Sequence, residues 1–526
     1  MPFLFHHLVS QSSQNHPHAC ALISKGEQKD YQSLNAEVER VANGLIKLGL
    51  KPNQRVAVYL PKQFESVISF FSITLAGGVF VPVNPLLKPN QVEYILKDCD
   101  VEILITSKSR YKQLISKLNK ISANITLVTD QRDDEAPIKS CEKWQSLLKA
   151  EMNNDIFPER ISQDMAAILY TSGSTGQPKG VVLSHQNLVE GAKSVASYLK
   201  NTKDDRLLAV LPFSFDYGLS QLTTAFLKGA SVVLLEYLLP RDVINTVAKF
   251  EITGLAAVPP LWSQLASLEW PEEAKHSLRY ITNSGGAMPK TILKQLRGSL
   301  PSTAPYLMYG LTEAFRSTYL EPSEIDKRPN SIGKAIPNAE ILVINDNGHL
   351  CEANEEGELV HRGIHVAMGY WNAPKKTAER FKPIPSIEVS GLISQMAVWS
   401  GDRVKKDEDG FLYFVGRNDE MIKSSGYRIS PAEIEECLYQ MNEVTEVIAF
   451  GVADETLGQK IQLVLKQPEG IENSSEKIDA FKKLVFSFCK KNLPNFMQPH
   501  QIKLLNNLPK NANGKIDRSL LKAEHS

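Results

Sequence analysis

Short apolar runs recur between residues 55 and 286, and residues with helix-like spacing separate them. The runs are RVAVYL (55–60), VEILIT (101–106), SVVLLE (231–236), ITGLAAVPP (252–260) and LRYITNSGG (278–286). Runs of this length predict buried strands, and their alternation with helices predicts parallel sheets covered by helices. In the most apolar segment, residues 67–83, glycine and proline interrupt the run. We therefore expect a buried helix leading into a strand, and no membrane insertion.

The pattern changes after about residue 335. The segments EILVIND, GELVHRG and GDRVKKDEDGFLYFVGR read as strands and hairpins, with DNG and DEDG as turns. Beyond Arg417 a smaller unit follows, with a helix at 431–440, the strands VTEVIAFGV and KIQLVLK, a helix near 475–491 and a basic tail. We predict an α/β chain. Its large N-terminal domain, residues 1–417, has helix-covered, mostly parallel sheets plus a β-rich subdomain, and residues 418–526 form a small α+β C-terminal domain on a hinge.

Composition excludes several classes of protein. The 526 residues are 42% hydrophobic and 22% charged, and the formal net charge is +0, so no global field favours nucleic acid as a partner. The six cysteines form no C-x-x-C pair, which argues against zinc and against a disulfide framework. Free thiols and an N-terminus without a signal-peptide pattern predict a cytoplasmic protein.

One loop carries the first candidate chemistry. The stretch LYTSGSTGQPKG, residues 169–180, places serine, threonine and glycine between two apolar strands. Glycines let an anion approach the backbone, N–H and hydroxyl groups donate to it, and Lys179 adds a positive charge. The loop is not a Walker A motif, because Lys179 lies between Pro178 and Gly180. A flexible surface linker is the alternative, but the flanking strands favour an active-site loop.

The loop sequence YTSGSTGQPKG resembles the phosphate loop of the adenylate-forming superfamily, which includes acyl-CoA synthetases, adenylation domains of peptide synthetases and luciferases. Further motifs follow in that family's order over essentially the whole chain: YGLTE (309–313), GELVHRG (357–363), Gly401-Asp402, GRNDEMIKSSGYRISPAEIE (416–435) and LPKNANGKIDR (508–518). The resemblance implies an enzyme that uses ATP and Mg²⁺. A carboxylate attacks the α-phosphorus of ATP to give an acyl-adenylate and pyrophosphate, and a thiol then displaces AMP.

The resemblance also implies residue roles. Because the first half-reaction joins two anions, cationic and N–H groups must neutralise the developing charge. The residues implied to bind ATP are Thr171, Ser172, Gly173, Thr175 and Lys179 for the β- and γ-phosphates; Tyr309, Gly285, Gly286 and Ala287 for adenine; Asp402 for the ribose; and Arg417 and Arg428 for the ribose or phosphates. Thr312 would bond the α-phosphate, Glu313 would ligate Mg²⁺, and Lys515 would reach the α-phosphate and the substrate carboxylate. Asp419 would be the hinge that swaps Lys515 for Lys423 between the half-reactions.

The same alignment implies an acid pocket. Its residues are Phe215, Asp216, Ser220, Ala257, Ser284, Met308 and Arg316, and their mixture of small, polar and bulky types predicts a compact acid. Phe215 stands where many acyl-CoA synthetases have histidine. Asp216 resembles the aspartate that holds the substrate ammonium in amino-acid-activating domains, since a partly buried carboxylate needs a cationic partner. Alternatively, Asp216 pairs with a nearby lysine or arginine. Arg316 is a candidate for that partner, and it could also hold a substrate carboxylate.

Two subfamilies fit these motifs. One comprises stand-alone amino-acid ligases that load a carrier protein, of the L-proline type, and the other comprises AMP-forming acyl-CoA ligases associated with exosortase loci. Asp216 favours the first, so we predict activation of a small amino acid, L-proline as the specific guess, and transfer to the phosphopantetheine thiol of a carrier protein. The alternative is an acyl-CoA ligase with CoA as acceptor. A third possibility is an inactive nucleotide-binding protein, against which the retained Lys179, Glu313, Asp402, Lys423 and Lys515 argue.

Overall fold

A computed structural model describes residues 1–118, 125–130, 141–149, 157–171, 178–384, 395–417, 420–424, 427–454, 457–470, 474–493 and 495–525. The α-helices are α1 (His7–Asn15), α2 (Tyr31–Lys47), α3 (Phe64–Leu75), α4 (Pro89–Asp98), α5 (Lys108–Leu118), α6 (Trp144–Leu148), α7 (His185–Tyr198), α8 (Asp216–Lys228), α9 (Pro240–Lys249), α10 (Pro259–Ala266), α11 (Glu272–Ser277), α12 (Lys290–Ser299), α13 (Pro374–Arg380), α14 (Pro431–Leu438), α15 (Ser475–Asn492) and α16 (Arg518–His525).

The strands are β1 (Cys20–Ser24), β2 (Glu27–Asp30), β3 (Arg55–Tyr59), β4 (Val79–Pro82), β5 (Val101–Thr106), β6 (Ile125–Val128), β7 (Cys141–Lys143), β8 (Met165–Thr171), β9 (Lys179–Ser184), β10 (Arg206–Ala209), β11 (Ser231–Leu234), β12 (Gly254–Ala257), β13 (Tyr280–Asn283), β14 (Ala304–Tyr309), β15 (Thr318–Leu320), β16 (Ser331–Ala335), β17 (Ala339–Ile344), β18 (Glu356–Gly363), β19 (Gly369–Tyr370), β20 (Phe381–Pro383), β21 (Met396–Lys406), β22 (Leu412–Arg417), β23 (Ile422–Ser424), β24 (Tyr427–Ile429), β25 (Val447–Asp454), β26 (Gly458–Lys466) and β27 (Gln501–Leu505).

The first sheet contains the early apolar runs. Its order is β19-β9-β8-β4-β3-β5-β6-β7, and β3 pairs in parallel with both β4 and β5. The apolar segment 67–83 forms most of α3 and then β4, whose residues are all buried. The predicted buried helix leading into a strand is therefore confirmed. Among the described helices, none has the length and apolar character that a membrane crossing requires.

The second sheet positions the predicted acid pocket. Strands β11, β10, β12, β13 and β14 pair in parallel, as the apolar runs predict. The carboxyl ends of neighbouring parallel strands meet at one edge of a sheet, which is where ligands bind in such folds. Ala257 ends β12, Ser284 directly follows β13, and Met308 and Tyr309 end β14. Residues far apart in the sequence thus lie side by side.

The later segments form the antiparallel region that the hairpin pattern predicts. Strands β17, β18, β21 and β22 pair with their neighbours in antiparallel fashion, and β22 joins β16 to connect this region to the second sheet. The α/β fold class, with parallel sheets and a β-rich part, is confirmed.

The C-terminal segment has an apolar core of its own. Strands β25, β26 and β27 form a three-stranded sheet against which α14 and α15 pack, and the core includes Ile434, Val447, Leu463 and Val485. The predicted helices and strands of this unit are present. Asp419 and the residue before it lie outside the described residues, so the domain boundary at 417/418 and the hinge stay predictions.

Gly333 lies on β16 of the second sheet, and its replacement by alanine should destabilise the protein. Its φ is +86°, and an added Cβ would lie 1.8 Å from the carbonyl oxygen of Tyr319 on β15. Because both groups belong to the backbone, neither can move aside without strain. We therefore expect Gly333→Ala to lower the free energy of unfolding by roughly 3 kcal/mol or more. Urea unfolding followed by tryptophan fluorescence would measure the loss.

Gly348→Ala is the matched control. Gly348 has a nearly equal φ of +82°, but no atom lies within 4 Å of an added Cβ. This substitution should lower the free energy of unfolding by only about 1 kcal/mol, because it adds the strain of a positive φ but no steric clash. Equal losses in the two variants would contradict the packing explanation for Gly333.

Candidate active site

Lys179 is the first residue of β9, and it pairs in register with Thr171, the last residue of β8. The loop between them contains Ser172, Gly173 and Thr175, which lie outside the described residues. The Lys179 ammonium lies 4.6 Å from the centre of the Tyr370 ring. Burial lowers the pKa of Lys179, and the nearby Glu313 carboxylate opposes that shift. Lys179 and Glu313 therefore share one electrostatic environment, as the predicted roles require.

Glu313 occupies a 3₁₀ turn, Thr312–Ala314, just after β14. It is 8% exposed, and one of its carboxylate oxygens accepts a hydrogen bond of 2.6 Å from the Tyr370 hydroxyl. Among the described residues, no group of three or more histidine, cysteine, aspartate or glutamate side chains could hold a metal ion. A single buried carboxylate nevertheless fits Mg²⁺, which takes its remaining ligands from phosphate oxygens and water.

Asp402 and Tyr309 meet at the boundary between the second sheet and the β-rich part. The Tyr309 hydroxyl donates a short hydrogen bond to Asp402, and the Arg417 Nε donates one of 3.2 Å. Arg417 lies opposite Asp402 in the β21–β22 pair. Burial raises the pKa of Asp402, while the Arg417 charge opposes this. The residues predicted to bind adenine (Tyr309), the ribose (Asp402) and the ribose or phosphates (Arg417) thus form one hydrogen-bonded group.

Lys515 lies in a tight turn that its sequence explains. Gly514 has a φ of +78°, which favours glycine, and the Asn511 side chain accepts hydrogen bonds from the backbone N–H groups of Asn513 and Lys515. The Asn84 amide holds this turn against the first sheet by donating to the Ala512 carbonyl over 2.6 Å. The turn therefore projects Lys515 from the C-terminal unit towards the predicted acid pocket.

The Lys515 side chain enters the N-terminal part of the protein. Its ammonium lies 4.8 Å from the centre of the Phe215 ring. Gly285 has a φ of +79°, which favours glycine, and a Cβ added there would lie 2.5 Å from the Lys515 Cε, so a larger residue would displace the lysine side chain. Burial lowers the pKa of Lys515, and the Asp216 carboxylate opposes that shift. Gly285, which the resemblance assigns to adenine, has the Lys515 stem lying over it in the structure.

Asp216 is not a free carboxylate. It begins α8, is 3% exposed, and accepts hydrogen bonds of 2.7 Å from Arg316 Nη1 and 3.1 Å from the Thr312 hydroxyl. The sequence left two hypotheses for Asp216, a substrate ammonium or a nearby lysine or arginine as its partner. In the structure the partner is Arg316. Asp216 as an anchor for a substrate ammonium loses its support, because a buried carboxylate that is already paired does not require a second cation. Thr312, predicted to bond the α-phosphate, donates to Asp216 in this arrangement.

An unusual turn places Arg316 beside Asp216. Phe315 has φ 58° and ψ −63°, and the Arg316 N–H donates to the Ala314 carbonyl over 2.6 Å. These values define a strained γ-turn, which costs about 1–3 kcal/mol in a non-glycine residue. Strain of this kind clusters at functional sites.

The other predicted acid-pocket residues are also buried. Ser220 lies one turn after Asp216 on α8, Ala257 and Ser284 lie at the ends of β12 and β13, and Met308 accepts a hydrogen bond from the Tyr198 hydroxyl. Gly286 and Ala287 follow β13 in the same loop. Lys423 and Arg428 are paired across β23 and β24, and their side chains lie outside what the structure describes.

Two further residues at the site, Tyr370 and Asn84, were not predicted from the sequence. Tyr370 joins Lys179 to Glu313, and Asn84 holds the Lys515 turn. Neither residue was assigned a role from the sequence, and each is brought to the site only by sheet pairing or by contact between distant segments.

Comparison with known proteins identifies the family. The profile for AMP-binding enzymes matches residues 9–371, and the profile for the C-terminal domain of these enzymes matches residues 433–515. The chain therefore belongs to the AMP-binding enzyme family, which confirms the resemblance to the adenylate-forming superfamily and the class of AMP-forming acid–thiol ligases.

Similar proteins differ in how much of their length this chain matches. It is 31% identical to an oxalate–CoA ligase of Arabidopsis thaliana, over 98% of both chains, and 27% identical to a long-chain-fatty-acid–CoA ligase of Bacillus subtilis, over 99% of this chain and 94% of that one. It is also 29% identical to bacitracin synthase 3 of Bacillus licheniformis, but it spans only 8% of that protein.

A solved structure shows the same fold. The o-succinylbenzoate coenzyme A synthetase of Bacillus subtilis in complex with ATP and magnesium superposes with a TM-score of 0.80 at 27% identity, over 98% of this chain and 99% of that one. The predicted cofactors, ATP and Mg²⁺, agree with that complex.

Proposed function

We propose that this protein is an AMP-forming acyl-CoA ligase whose substrate is a carboxylic acid without an α-amino group. The observation that carries the proposal is the buried Asp216–Arg316 pair. In the amino-acid reading, Asp216 would supply the negative charge that binds an ammonium. In the observed arrangement, Arg316 neutralises that charge, and Thr312 takes a further acceptor site.

The charges around the reacting atoms support chemistry between two anions. Lys179 and Lys515 come from distant parts of the chain, and the Glu313 carboxylate acts on both, since its charge opposes the lowering of the pKa of each lysine. Lys515 would bind the substrate carboxylate and the α-phosphate oxygens, which lowers the repulsion as the carboxylate oxygen attacks phosphorus and pyrophosphate leaves. Mg²⁺ held by Glu313 would neutralise phosphate charge. Asp402 and Tyr309 would orient the nucleoside.

The second half-reaction needs a thiol. The thiol loses its proton to solvent, the sulfur attacks the acyl carbonyl to form a thioester bond, and AMP leaves with the electron pair of the broken C–O bond. CoA as acceptor is supported by the two full-length relatives, which are CoA ligases, whereas the peptide synthetase relative shares only a small part of its length. Lys423 would line the thiol entry after the C-terminal unit pivots at Asp419. We therefore propose CoA, in place of a carrier protein, as the acceptor of the acyl group.

Substrate-dependent ATP–pyrophosphate exchange tests the acid. L-Proline and cyclopentanecarboxylic acid form a matched pair that differs chiefly in the ring amine, and further amino acids are compared with short, aromatic and fatty acids. We expect exchange only with acids that lack an amine, because Asp216 is already paired. Incubation with CoA should then give an acyl-CoA thioester and AMP, which mass spectrometry detects.

Two results would contradict the proposal. One is exchange driven by an amino acid and abolished in Asp216→Asn, which keeps the hydrogen-bonding shape but removes the charge. The other is thioester formation on a holo-carrier protein with none on CoA. The first would restore the ammonium anchor, and the second would restore carrier-protein loading.

A further inference from the structure

Arg316 has donors that its protein partners do not use. The side chain is 2% exposed, and Nη1 donates to Asp216 and to the Phe315 carbonyl, each over 2.7 Å. Within the part of the chain that the structure describes, Nε and Nη2 are buried without a hydrogen-bond partner. Buried guanidinium donors are rarely left unsatisfied, since each loses its hydration on burial.

The two unused donors form one geometric unit. In a guanidinium group, the N–H of Nε and one N–H of Nη2 point in the same direction along one edge. That edge matches the two oxygens of a carboxylate, which it binds through two parallel hydrogen bonds. Asp216 occupies Nη1 instead, so the carboxylate-binding edge is the part of Arg316 left without a partner.

Two aromatic rings lie against the Arg316 guanidinium group. The guanidinium carbon lies 4.5 Å from the centre of the Tyr217 ring and 5.4 Å from that of Phe315. The Tyr217 hydroxyl is already hydrogen-bonded to Thr282 over 2.6 Å. These rings stabilise the guanidinium group through cation–π contacts, but they provide no hydrogen-bond acceptor for Nε and Nη2.

We propose that the substrate carries a second carboxylate, and that this group binds the Nε–Nη2 edge of Arg316 while Lys515 receives the reacting carboxylate. The inference rests on the proposed function and names its substrate class as a dicarboxylic acid. Asp216 holds Arg316 in place from the Nη1 side and is a positioning residue. Thr312, which would bond the α-phosphate, also bonds Asp216, so the two ends of the acid lie near each other and the acid is short.

Exchange kinetics with acids of matched length test this inference. Malonate is compared with propionate, succinate with butyrate, and glutarate with valerate, by kcat/KM in ATP–pyrophosphate exchange. In at least one pair we expect the dicarboxylate to be preferred by about 100-fold or more, because a site built for hydrogen bonding rejects an analogue that leaves its donors unpaired.

A double variant separates recognition from folding. Arg316→Met alone would leave Asp216 buried and unpaired, so it is combined with Asp216→Asn, which removes both charges and keeps an acceptor for Thr312. In this variant the preference for the dicarboxylate should fall to less than about tenfold, with the change mainly in KM. Calorimetry with a non-hydrolysable ATP analogue should show loss of dicarboxylate binding. Arg316→Lys, which keeps the charge but not the two-donor edge, should give an intermediate preference.

The possible failures are distinguishable. Equal or better exchange with the monocarboxylates, or a dicarboxylate preference that survives in the double variant, overturns this inference and leaves the acyl-CoA ligase proposal standing. Exchange driven by amino acids alone overturns the proposed function, and the inference falls with it.

Discussion

Replacing Lys515 by alanine should abolish most acyl-adenylate formation. The ammonium is the charged group that the C-terminal turn brings to Phe215 and Asp216, where in the proposed function the substrate carboxylate would meet the α-phosphate. Removing a donor aimed at developing charge typically slows such a step by roughly 100- to 1,000-fold, and that loss is expected here in ATP–pyrophosphate exchange. ATP binding should be largely intact, because Lys179, Tyr309 and Asp402 lie on other segments.

Lys510→Ala is the matched control for this substitution. Lys510 precedes the same turn, but its ammonium pairs with Glu446 over 2.9 Å. Its loss should leave exchange close to that of the unmodified protein. If Lys515→Ala exchanged at the normal rate, or if the two variants lost activity equally, Lys515 would have no special role in adenylation.

Replacing Glu313 by glutamine should remove the Mg²⁺-dependent part of the first half-reaction. Glutamine keeps the size of the side chain and can still accept the Tyr370 hydrogen bond, but it lacks the negative charge that a hard cation requires. We expect exchange at saturating acid to fall by roughly 100-fold or more. A titration of Mg²⁺ at fixed ATP should show a higher Mg²⁺ requirement.

Tyr370→Phe provides the comparison. It removes the hydroxyl that orients Glu313 and leaves the charge in place, so the loss should be smaller, about tenfold. A larger loss in Tyr370→Phe than in Glu313→Gln would indicate that the hydrogen bond, and not the charge, matters at this position. An unchanged Mg²⁺ requirement in Glu313→Gln would remove Glu313 from metal binding.

Local patterns were sufficient for much of the fold. The runs at 55–60 and 101–106 form β3 and β5, since a continuous apolar run must be buried on both faces of a sheet. The glycines and proline in segment 67–83 distinguished a buried helix and strand from a membrane helix. The DNG and DEDG turns marked the antiparallel part, because turn chemistry is read over a few residues.

The acid pocket required the tertiary structure. Asp216 and Arg316 lie 100 residues apart along the chain, and the sequence offered an ammonium or an arginine as the partner of Asp216. The γ-turn at Phe315 decides between them, because it directs Arg316 to Asp216. Local residue preferences do not predict that turn, because it is strained and persists only where packing elsewhere offsets the strain.

The sequence by itself determined the reaction class, because several short motifs, in the order of the adenylate-forming superfamily, identified the family. It also determined the strands and helices, which follow from local hydrophobic period. Only the tertiary structure decided what Asp216 pairs with, how Tyr370 links Lys179 to Glu313, and that Arg316 keeps one edge without a partner. Those facts depend on which distant side chains share a buried volume, and hydrogen-bond partners in a buried volume are set by packing and not by sequence neighbours.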